Sequence, residues 1–467
     1  MKLYKITNFV IVVLVITAVY QTGELWLQGT TSHNFFYTIL ESLSQNNEED
    51  QANGEVLLAT RYAVGDGGSN FSVYYPDDVG SSTLLTMANT TMSEILSGSS
   101  GDAVTGDADW KEILQSRCLV LQYDFLLSTE EYLAGYRNVR GAQELEAFDY
   151  ITIVPGKVSG EKSSVYFVNS ENNEYLLFTS TKSKTSASLY EALQKGEDDM
   201  VYISTGQKTT SSVLKRNLFL PQWAQLPYTY ATLRQSPVFE QEGAVSRMTL
   251  ENSVEAFFKN FSADWSSRDE YGNFAFSDSS VVVKYYPGER VLEYYSYDTY
   301  GTDKNQASLA EGYQISCNFM RNDTSLHTDV YLSDIIQQGN QVVYCFDYVA
   351  GNLPVYLSDE IREKIDMDHA IEITVRGQAV KKYRRYAVDY VAEDRTAALN
   401  VQFIDALDEA NRTYQEEVEE RIVDNVQNIV LGYYAQDTEN IGLKWFVNLY
   451  DHLFMIETWQ EAPEIQE

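Results

Sequence analysis

The pattern of apolar and polar residues along the chain predicts short strands joined by single helices. The stretch 281–297 has Pro287-Gly288 between two strand-like runs, which indicates a hairpin. The stretch 370–391 turns near Gly377, and apolar residues alternate along its first half. Runs of strands joined by single helices are typical of an α+β fold built on antiparallel sheets.

Helical periodicity occurs in fewer segments. Residues 77–96 and 253–261 predict helices, and residues 398–420 predict another. The apolar face of this last helix would consist of Val401, Ile404, Leu407, Ala410 and Tyr414. We expect that face to pack with Trp445 against the final strands of the chain.

The N-terminus carries a long apolar segment. Lys2 and Lys5 precede it, and no acidic residue occurs before Glu24. The window 6–27 is just long enough to span a bilayer, which takes about 20 residues. No Ala-x-Ala cleavage site follows the apolar core. These features predict an uncleaved, single-pass membrane anchor with a cytoplasmic N-terminus and an extracytoplasmic bulk; a cleaved signal peptide is the alternative.

Polar residues within the anchor suggest a second role for it. Thr17, Gln21 and Glu24 lie at positions i, i+4 and i+7 and therefore share one helical stripe. Polar groups in hydrocarbon seek hydrogen-bond partners on neighbouring helices, so these residues are candidate contacts to a partner's membrane helix. The alternative places Gln21 and Glu24 in the outer interface of the membrane.

The order of predicted elements divides the chain into five parts. Residues 1–30 hold the cytoplasmic stub and the anchor, and residues 31–54 form a helical, acidic linker. Three α+β ectodomains follow, at residues 55–240, 241–357 and 358–467.

Charge excludes some classes of partner. The 467 residues carry a net charge of −34. An acidic balance this strong argues against binding nucleic acid and against lying flat on anionic lipid. No second long apolar run follows the anchor, so we expect one membrane span.

Cysteine and tyrosine usage adds little chemistry. Cys118, Cys317 and Cys345 form neither a disulfide framework nor a zinc motif. Cys317 and Cys345 are both predicted on strands, either as separate half-buried thiols or bonded to each other. The 35 tyrosines are spread along the chain. That spread favours half-exposed sheet surfaces over a surface for carbohydrate or partner stacking.

No motif specifies a reaction. The four histidines are never at helical ligand spacing, and HExxH does not occur. Residues 366–370 place two carboxylates beside His369, which indicates a solvated turn or, alternatively, part of a metal site. Ser212 and Lys215 match a serine-x-x-lysine pattern, but no partner motif accompanies them. The sequence therefore predicts no catalytic residue, no metal ligand and no cofactor.

One run concentrates positive charge in this acidic chain. Lys381, Lys382, Arg384 and Arg385 lie within five residues. They form either a basic surface patch that faces a partner or a set of charges that neutralises the protein's own acidic surface.

Weak landmarks connect this layout to a known family. An anchor segment containing Thr22 and Trp26 precedes a large region without enzyme motifs. The carboxyl half has a hairpin ending in the basic run, then a helix, a Gly-Tyr strand at Gly432 and Tyr433, and a last strand bearing Trp445. This arrangement resembles the YycH/YycI family of regulators of the WalK (YycG) sensor kinase in Gram-positive bacteria.

The resemblance implies a membrane-anchored extracytoplasmic protein that modulates a sensor histidine kinase controlling cell-wall metabolism. Its implied partners are that kinase, a YycI-like companion membrane protein, or both, with contacts at least partly through the membrane helices. It also implies no enzyme activity. The residues alone leave two alternatives: a cell-surface protein that binds wall glycan or another extracellular ligand, and an envelope enzyme.

Overall fold

The structure is a computed structural model. It describes residues 58–76, 81–99, 104–136, 139–193, 200–208, 216–223, 226–241, 243–259, 261, 266–297, 307–418, 425–438, 440–450 and 452–459. The predicted anchor at 6–27, with Thr17, Gln21 and Glu24, and the linker at 31–54 lie outside these residues. Across the described ranges, no helix combines the length and the apolarity needed to cross a membrane.

The described residues form 26 strands and nine α-helices. The strands are β1 (Arg61–Asp66), β2 (Asn70–Tyr74), β3 (Val104–Asp107), β4 (Arg117–Ser128), β5 (Ala147–Val154), β6 (Ser163–Asn169), β7 (Glu174–Ser180), β8 (Met200–Ser204), β9 (Phe219–Trp223), β10 (Tyr228–Pro237), β11 (Glu240–Gln241), β12 (Ala244–Val245), β13 (Ser266–Arg268), β14 (Phe274–Ser277), β15 (Val281–Tyr286), β16 (Val291–Ser296), β17 (Val330–Gln338), β18 (Gln341–Ala350), β19 (Leu353–Leu357), β20 (Ile371–Arg376), β21 (Ala379–Tyr386), β22 (Val388–Leu399), β23 (Val426–Ala435), β24 (Asn440–Ile441), β25 (Leu443–Leu449) and β26 (His452–Glu457). The α-helices are α1 (Ser81–Gly98), α2 (Trp110–Ile113), α3 (Thr129–Leu133), α4 (Ser186–Ala192), α5 (Thr205–Lys208), α6 (Arg247–Glu255), α7 (Leu309–Met320), α8 (Asp359–Ile365) and α9 (Phe403–Glu417).

Two large sheets organise these elements. The first has nine strands in the order β3-β7-β6-β5-β4-β1-β2-β8-β9. The second has twelve, in the order β13-β14-β15-β16-β21-β20-β18-β19-β23-β25-β26, with β17 also paired to β18. Described strand pairs are antiparallel except β19 with β23, which run parallel. The predicted α+β fold with mostly antiparallel sheets is confirmed for the described residues.

Apolar side chains cover both faces of the nine-stranded sheet. Helix α1 packs over β6 and β7 on one face and contacts α4. On the opposite face, a second apolar cluster contains Phe71, Trp110, Tyr150 and Phe219. The rings of Phe71 and Phe219 meet edge to face, with centroids 4.9 Å apart. Strands with apolar residues on both faces are therefore packed against other apolar side chains on both faces.

A short polar and aromatic contact joins the two large sheets. The Asn352 side chain accepts a hydrogen bond from the Tyr75 amide at 2.9 Å and donates one to the Val73 carbonyl at 3.0 Å. The Tyr75 ring packs edge-on against Tyr331, with centroids 5.3 Å apart. Tyr75, Tyr331 and Val349 form a small apolar cluster of their own here, and the main apolar core contains residues of both sheets.

Backbone pairing also crosses the predicted domain boundaries. Strand β10, in the first predicted ectodomain, pairs with β22 in the third. Strands β18 and β19, in the middle part, pair with β20 and β23 of the last part. Strands of all three predicted ectodomains thus pair with one another, and the domain boundaries at 240/241 and 357/358 remain a prediction from the sequence.

Several predicted elements differ in the structure. Cys317 lies on helix α7, not on a strand, because Tyr313, Cys317 and Met320 are one or two turns apart and all face the core. Ser308 and Glu311 form a capping box that starts this helix.

The remaining boundary corrections are smaller. The predicted helix at 253–261 occupies Arg247–Glu255. The helix predicted at 398–420 is α9, and its buried face includes Ala406, Ala410 and Tyr414. Ile404 was placed on that face by its spacing, but its side chain is 57% exposed. Successive helical residues are rotated by about 100°, so Ile404 lies well away from the centre of the face formed by Ala406, Ala410 and Tyr414 and turns toward solvent.

The cysteines are free thiols. Cys118, Cys317 and Cys345 are all buried and unbonded. Cys317 and Cys345 therefore follow the unbonded alternative.

Tyrosines contribute more to the core than the sequence predicts. Tyr62, Tyr150, Tyr344, Tyr348 and Tyr383 belong to the largest fully buried side chains. Their hydroxyls find partners inside: that of Tyr150 donates to the Asn217 carbonyl at 2.7 Å, and that of Tyr348 donates to the Tyr386 carbonyl at 2.6 Å. A buried tyrosine is stable when its hydroxyl is hydrogen-bonded, so the expectation of half-exposed sheet surface is wrong for these residues.

Candidate functional site

The basic run lies on β21, and three of its side chains meet the protein's own carboxylates. Lys382 and Arg384 lie 3.5 and 3.8 Å from a carboxylate oxygen of Glu293 on β16. Arg385 is only 1% exposed, and its guanidinium Nε lies 3.3 Å from the buried Asp323 carboxylate. Arg385 therefore cannot belong to a surface patch, because alternation along the strand turns it into the core. These contacts favour internal neutralisation for the three residues; Lys381 is partly exposed on the same strand.

A serine, a histidine and an aspartate come together beside β18. The Asp347 carboxylate lies 2.8 Å from Nδ1 of His369, and Ser333 Oγ lies 3.0 Å from the same nitrogen. A catalytic triad requires the serine on one ring nitrogen, which accepts its proton, and the aspartate on the other, which holds the tautomer and orientation of the ring. This arrangement is therefore not a triad, although the residue types match one.

The described residues also contain no arrangement of side chains suited to thiol or metal chemistry. Burial is the largest cause that raises the pKa of Cys118 and of Cys317 to about 12, so both stay protonated at neutral pH. No group of three or more His, Cys, Asp or Glu residues in the described part is placed to hold a metal ion. Ser212 and Lys215 lie outside the described residues.

A groove does form at the carboxyl end of the twelve-stranded sheet, between α8 and β26. We name it the carboxyl-terminal groove. Its volume is about 290 Å³. The lining residues are Asp347, Tyr356, Leu357, Asp359, Arg362, Asp368, His369, Tyr434, Phe446, Leu453 and Met455.

Three aromatic rings form the apolar part of this groove. Parallel pairing of β19 with β23 places Tyr356 beside Tyr434. The Phe446 ring on β25 lies with its centroid 4.2 Å from that of Tyr356 and 6.0 Å from that of Tyr434. Antiparallel pairing places Met455 of β26 directly opposite Phe446. Alternation turns Trp445, the neighbour of Phe446, to the other face of the sheet, where it is fully buried.

Carboxylates form the polar rim of the groove. Asp347, Asp359 and Asp368 line it directly, and an adjoining recess of about 550 Å³ adds Glu363, Asp366 and Glu372. Two basic side chains accompany these six, and both already have a partner. The Arg362 guanidinium is hydrogen-bonded to Asp359, and the ring of His369 is hydrogen-bonded to Asp347.

The protonation of two rim residues reflects this environment. Burial favours the neutral ring of His369, but the hydrogen bond and the charge of Asp347 outweigh it, so the pKa of His369 lies above its ordinary value. Burial also raises the pKa of Glu372, and the nearby Arg384 opposes the shift only in part. The rim therefore stabilises positive charge placed near it.

Strand β26 borders the groove and is the last strand of the sheet. Within the described part of the chain, no strand pairs with its outer edge. Leu453 is 51% exposed and Met455 is 44% exposed on the groove side, whereas Phe454 and Ile456 face α9. An exposed apolar edge strand offers both backbone hydrogen-bonding groups and side-chain contacts to another chain.

The apolar pattern predicts the strands here but not the groove. One signal was present: residues 453–456 are apolar at four successive positions, which is typical of a strand that is apolar on both faces. Strands β19 and β23 and helix α8 are far from β26 in sequence, so their convergence required the tertiary structure.

Known proteins resemble this chain only in structure. No family model matches it, and no curated protein sequence matches it. Among solved structures, the chain is similar to YycH from Bacillus subtilis, with a TM-score of 0.49 and 13% identity over 87% of this chain and 96% of that one.

Two more solved structures show weaker likeness. An uncharacterized protein from Eubacterium rectale matches with a TM-score of 0.32 and 11% identity, over 58% of this chain and 89% of that one. The C-terminal domain of YpeB from Bacillus megaterium matches with a TM-score of 0.25 and 10% identity, over 46% of this chain and 98% of that one. These likenesses assign no residue and no activity to this chain.

Proposed function

We propose that this chain is a membrane-anchored, extracytoplasmic regulatory protein that acts by binding another envelope protein and has no enzyme activity. Its partner would be a sensor histidine kinase of the WalK (YycG) kind, a YycI-like companion membrane protein, or both. In this proposal residues 6–27 hold the protein in the cell membrane with the N-terminus inside.

The exposed edge strand β26 is the observation that carries the proposal. Leu453 and Met455 present apolar surface next to a groove, and the outer edge of the strand has no partner among the described residues. Contiguous apolar surface of this kind marks sites of protein association. A strand from a partner could add to the edge, since backbone hydrogen bonds and alternating side-chain contacts are available together.

The sequence supports the rest of the proposal. The apolar segment at 6–27 follows two lysines and precedes the region that folds into the two sheets. The family landmarks Gly432 and Trp445 lie on β23 and β25; β25 pairs with β26, and β23 is the next strand in the sheet. The proposed docking surface thus lies in the part of the chain that carries most of the resemblance.

Site-specific photo-crosslinking tests the proposal. The full-length chain, expressed in its native host, would carry p-benzoylphenylalanine in place of Leu453 and, separately, in place of Val104. Val104 is a matched control because it is 53% exposed and lies on β3, the edge strand of the other large sheet. After irradiation of intact cells, we expect the Leu453 position to yield an adduct containing a sensor kinase or a companion membrane protein.

The control defines the outcome. The Val104 position should give no adduct with the same protein. Equal adducts from both positions would mean non-specific proximity, and no kinase or companion protein in the Leu453 adduct would contradict the proposal.

Wall-glycan binding remains a second candidate because of one aromatic pair. The exposed rings of Tyr295 and Tyr297 lie with centroids 4.7 Å apart at the end of β16. Exposed aromatic rings can stack on sugars. Sedimentation with purified cell-wall sacculi, compared between the full-length chain and its Tyr295→Ser, Tyr297→Ser variant, would support this function if only the unmodified chain sediments.

A further inference from the structure

We propose that the carboxyl-terminal groove receives a lysine or arginine side chain, carried by an extended segment of a partner protein that lies along β26. This inference rests on the proposed function, because it names the chemistry of the partner at the same site. It concerns the side chain that enters the groove and the direction from which it arrives.

The aromatic floor suits the stem and the charge of such a side chain. The rings of Tyr356, Tyr434 and Phe446 offer apolar contact to a methylene stem. Their faces also attract a cation, since the π-system carries negative charge above and below the ring plane. A cavity of about 290 Å³ has room for one long side chain and not for a folded element.

The rim supplies the complementary charge. Six carboxylates line the groove and its adjoining recess; among the described lining residues Arg362 and His369 are basic, and Arg384 lies nearby, with its guanidinium bonded to the Asp366 and Ile365 carbonyls. Asp368 is exposed at the mouth, and no described residue forms an ion pair with it. An anionic side chain would meet repulsion here, and a neutral one would leave the carboxylates without a new partner.

The free edge of β26 explains why the cation would arrive on a polypeptide. A strand that adds to this edge directs every second side chain toward the groove side, next to Leu453 and Met455. From there a lysine or arginine side chain can point into the groove, whose lining includes Asp359 and Asp368. The apolar strip and the acidic rim then contact one segment whose side chains alternate between cationic and apolar.

A pair of peptides separates charge from apolar contact. Both are acetylated and amidated hexapeptides of alternating threonine and valine; one has lysine at a central position and the other has norleucine there. Binding is followed through the Met455 methyl resonance of the full-length chain, labelled at methionine methyl groups and held in nanodiscs. Loss of the resonance in Met455→Leu assigns it among the eight methionines.

We expect the lysine peptide to bind about fivefold more tightly than the norleucine peptide. The difference should shrink as salt is added, because the rim is open to solvent. The combined variant Asp359→Asn, Asp368→Asn should bring the two affinities together. Glu270→Gln removes one exposed carboxylate far from the groove and should preserve the difference.

The outcomes distinguish this inference from the proposed function. Equal affinities for both peptides in the unmodified chain would overturn the cationic occupant, and crosslinking from Leu453 could still identify the partner. Binding of n-butylammonium as tight as that of the lysine peptide would show that a small free cation suffices, and would overturn the role of the extended segment. Crosslinking that finds no kinase or companion protein, together with a lysine preference, would instead remove the proposed regulatory function.

Discussion

The two large sheets differ in how their second face is packed. The nine-stranded sheet packs helix α1 on one face and the cluster around Phe71 and Trp110 on the other. Among the described residues, the carboxyl end of the twelve-stranded sheet packs α9 on one face, against Trp445, and its other face forms the groove with Leu453 and Met455 exposed. Both regions contain strands that are apolar on both sides.

This difference indicates which region is built for stability and which for binding. An apolar face covered from within the chain contributes to folding free energy and is closed to partners. An apolar face left open contributes less to folding, and it remains available to another chain. The same strand pattern therefore has two uses, and the covering element decides between them.

The first prediction tests the comparison with matched large-to-small changes. Phe71→Ala removes a fully buried ring from the second face of the nine-stranded sheet and should lower the free energy of unfolding by about 3–5 kcal/mol. Met455→Ala removes a side chain from the open face and should lower it by less than about 1 kcal/mol. Guanidinium unfolding followed by circular dichroism measures both. Similar losses would mean that the groove face is covered in the folded chain.

The second prediction concerns a buried carboxylate in the nine-stranded sheet. Burial raises the pKa of Asp149 to about 6, although hydrogen bonds from Ser170 and the charge of Arg216 oppose the shift. The folded state then holds this proton between about pH 4 and pH 6, where the unfolded state has lost it. Through Asp149 alone, the free energy of unfolding should therefore fall by about 3 kcal/mol as pH rises through that window, and this contribution should be absent above it.

Substitution isolates this contribution. Asp149→Asn should remove most of the pH dependence between pH 4 and pH 6 from unfolding curves measured at each pH. Glu146→Gln changes an exposed carboxylate close to Asp149 in the sequence and should leave the pH dependence in place. An unchanged pH profile in Asp149→Asn would show that another group binds the proton.

The third prediction concerns α9, the helix that packs against β25 and β26 on the Trp445 face of the twelve-stranded sheet. Leu407 is half-buried against the core, so Leu407→Ala should lower the free energy of unfolding by about 1–2 kcal/mol. Ile404→Ala should change it by less than about 0.5 kcal/mol, because Ile404 faces solvent. Ile404 and Leu407 lie about one turn apart on the same helix, and both variants are measured by unfolding in the same denaturant. A larger effect at Ile404 would restore the face predicted from spacing alone.

Local pattern was sufficient for much of the fold. The hairpins around Pro287-Gly288 and Gly377 follow from turn residues between alternating runs, and both are present as predicted. The α+β class follows from the same alternation, because the period of apolar residues fixes strand or helix over a few residues. Neither result depends on contacts between distant parts of the chain.

Pattern was insufficient where two periods fit the same residues. The segment around Cys317 has apolar residues both at alternate positions and at helical spacing, and the capping box at Ser308 and burial against the sheet favoured the helix. Ile404 is three residues before Leu407, yet the buried face of α9 is centred on Ala406, Ala410 and Tyr414, which leaves Ile404 exposed.

The sequence by itself determined the class of the fold, the strong negative charge and the presence of an apolar N-terminal segment, since each is a property of neighbouring residues or of their sum. The tertiary structure alone decided that Arg385 is buried beside Asp323, that many tyrosines are core residues, and that β26 borders an acidic, aromatic groove. Each of these depends on which distant residue supplies a charge, a hydrogen bond or a covering side chain. Pairings between strands far apart in sequence supply those partners, and a local pattern does not specify them.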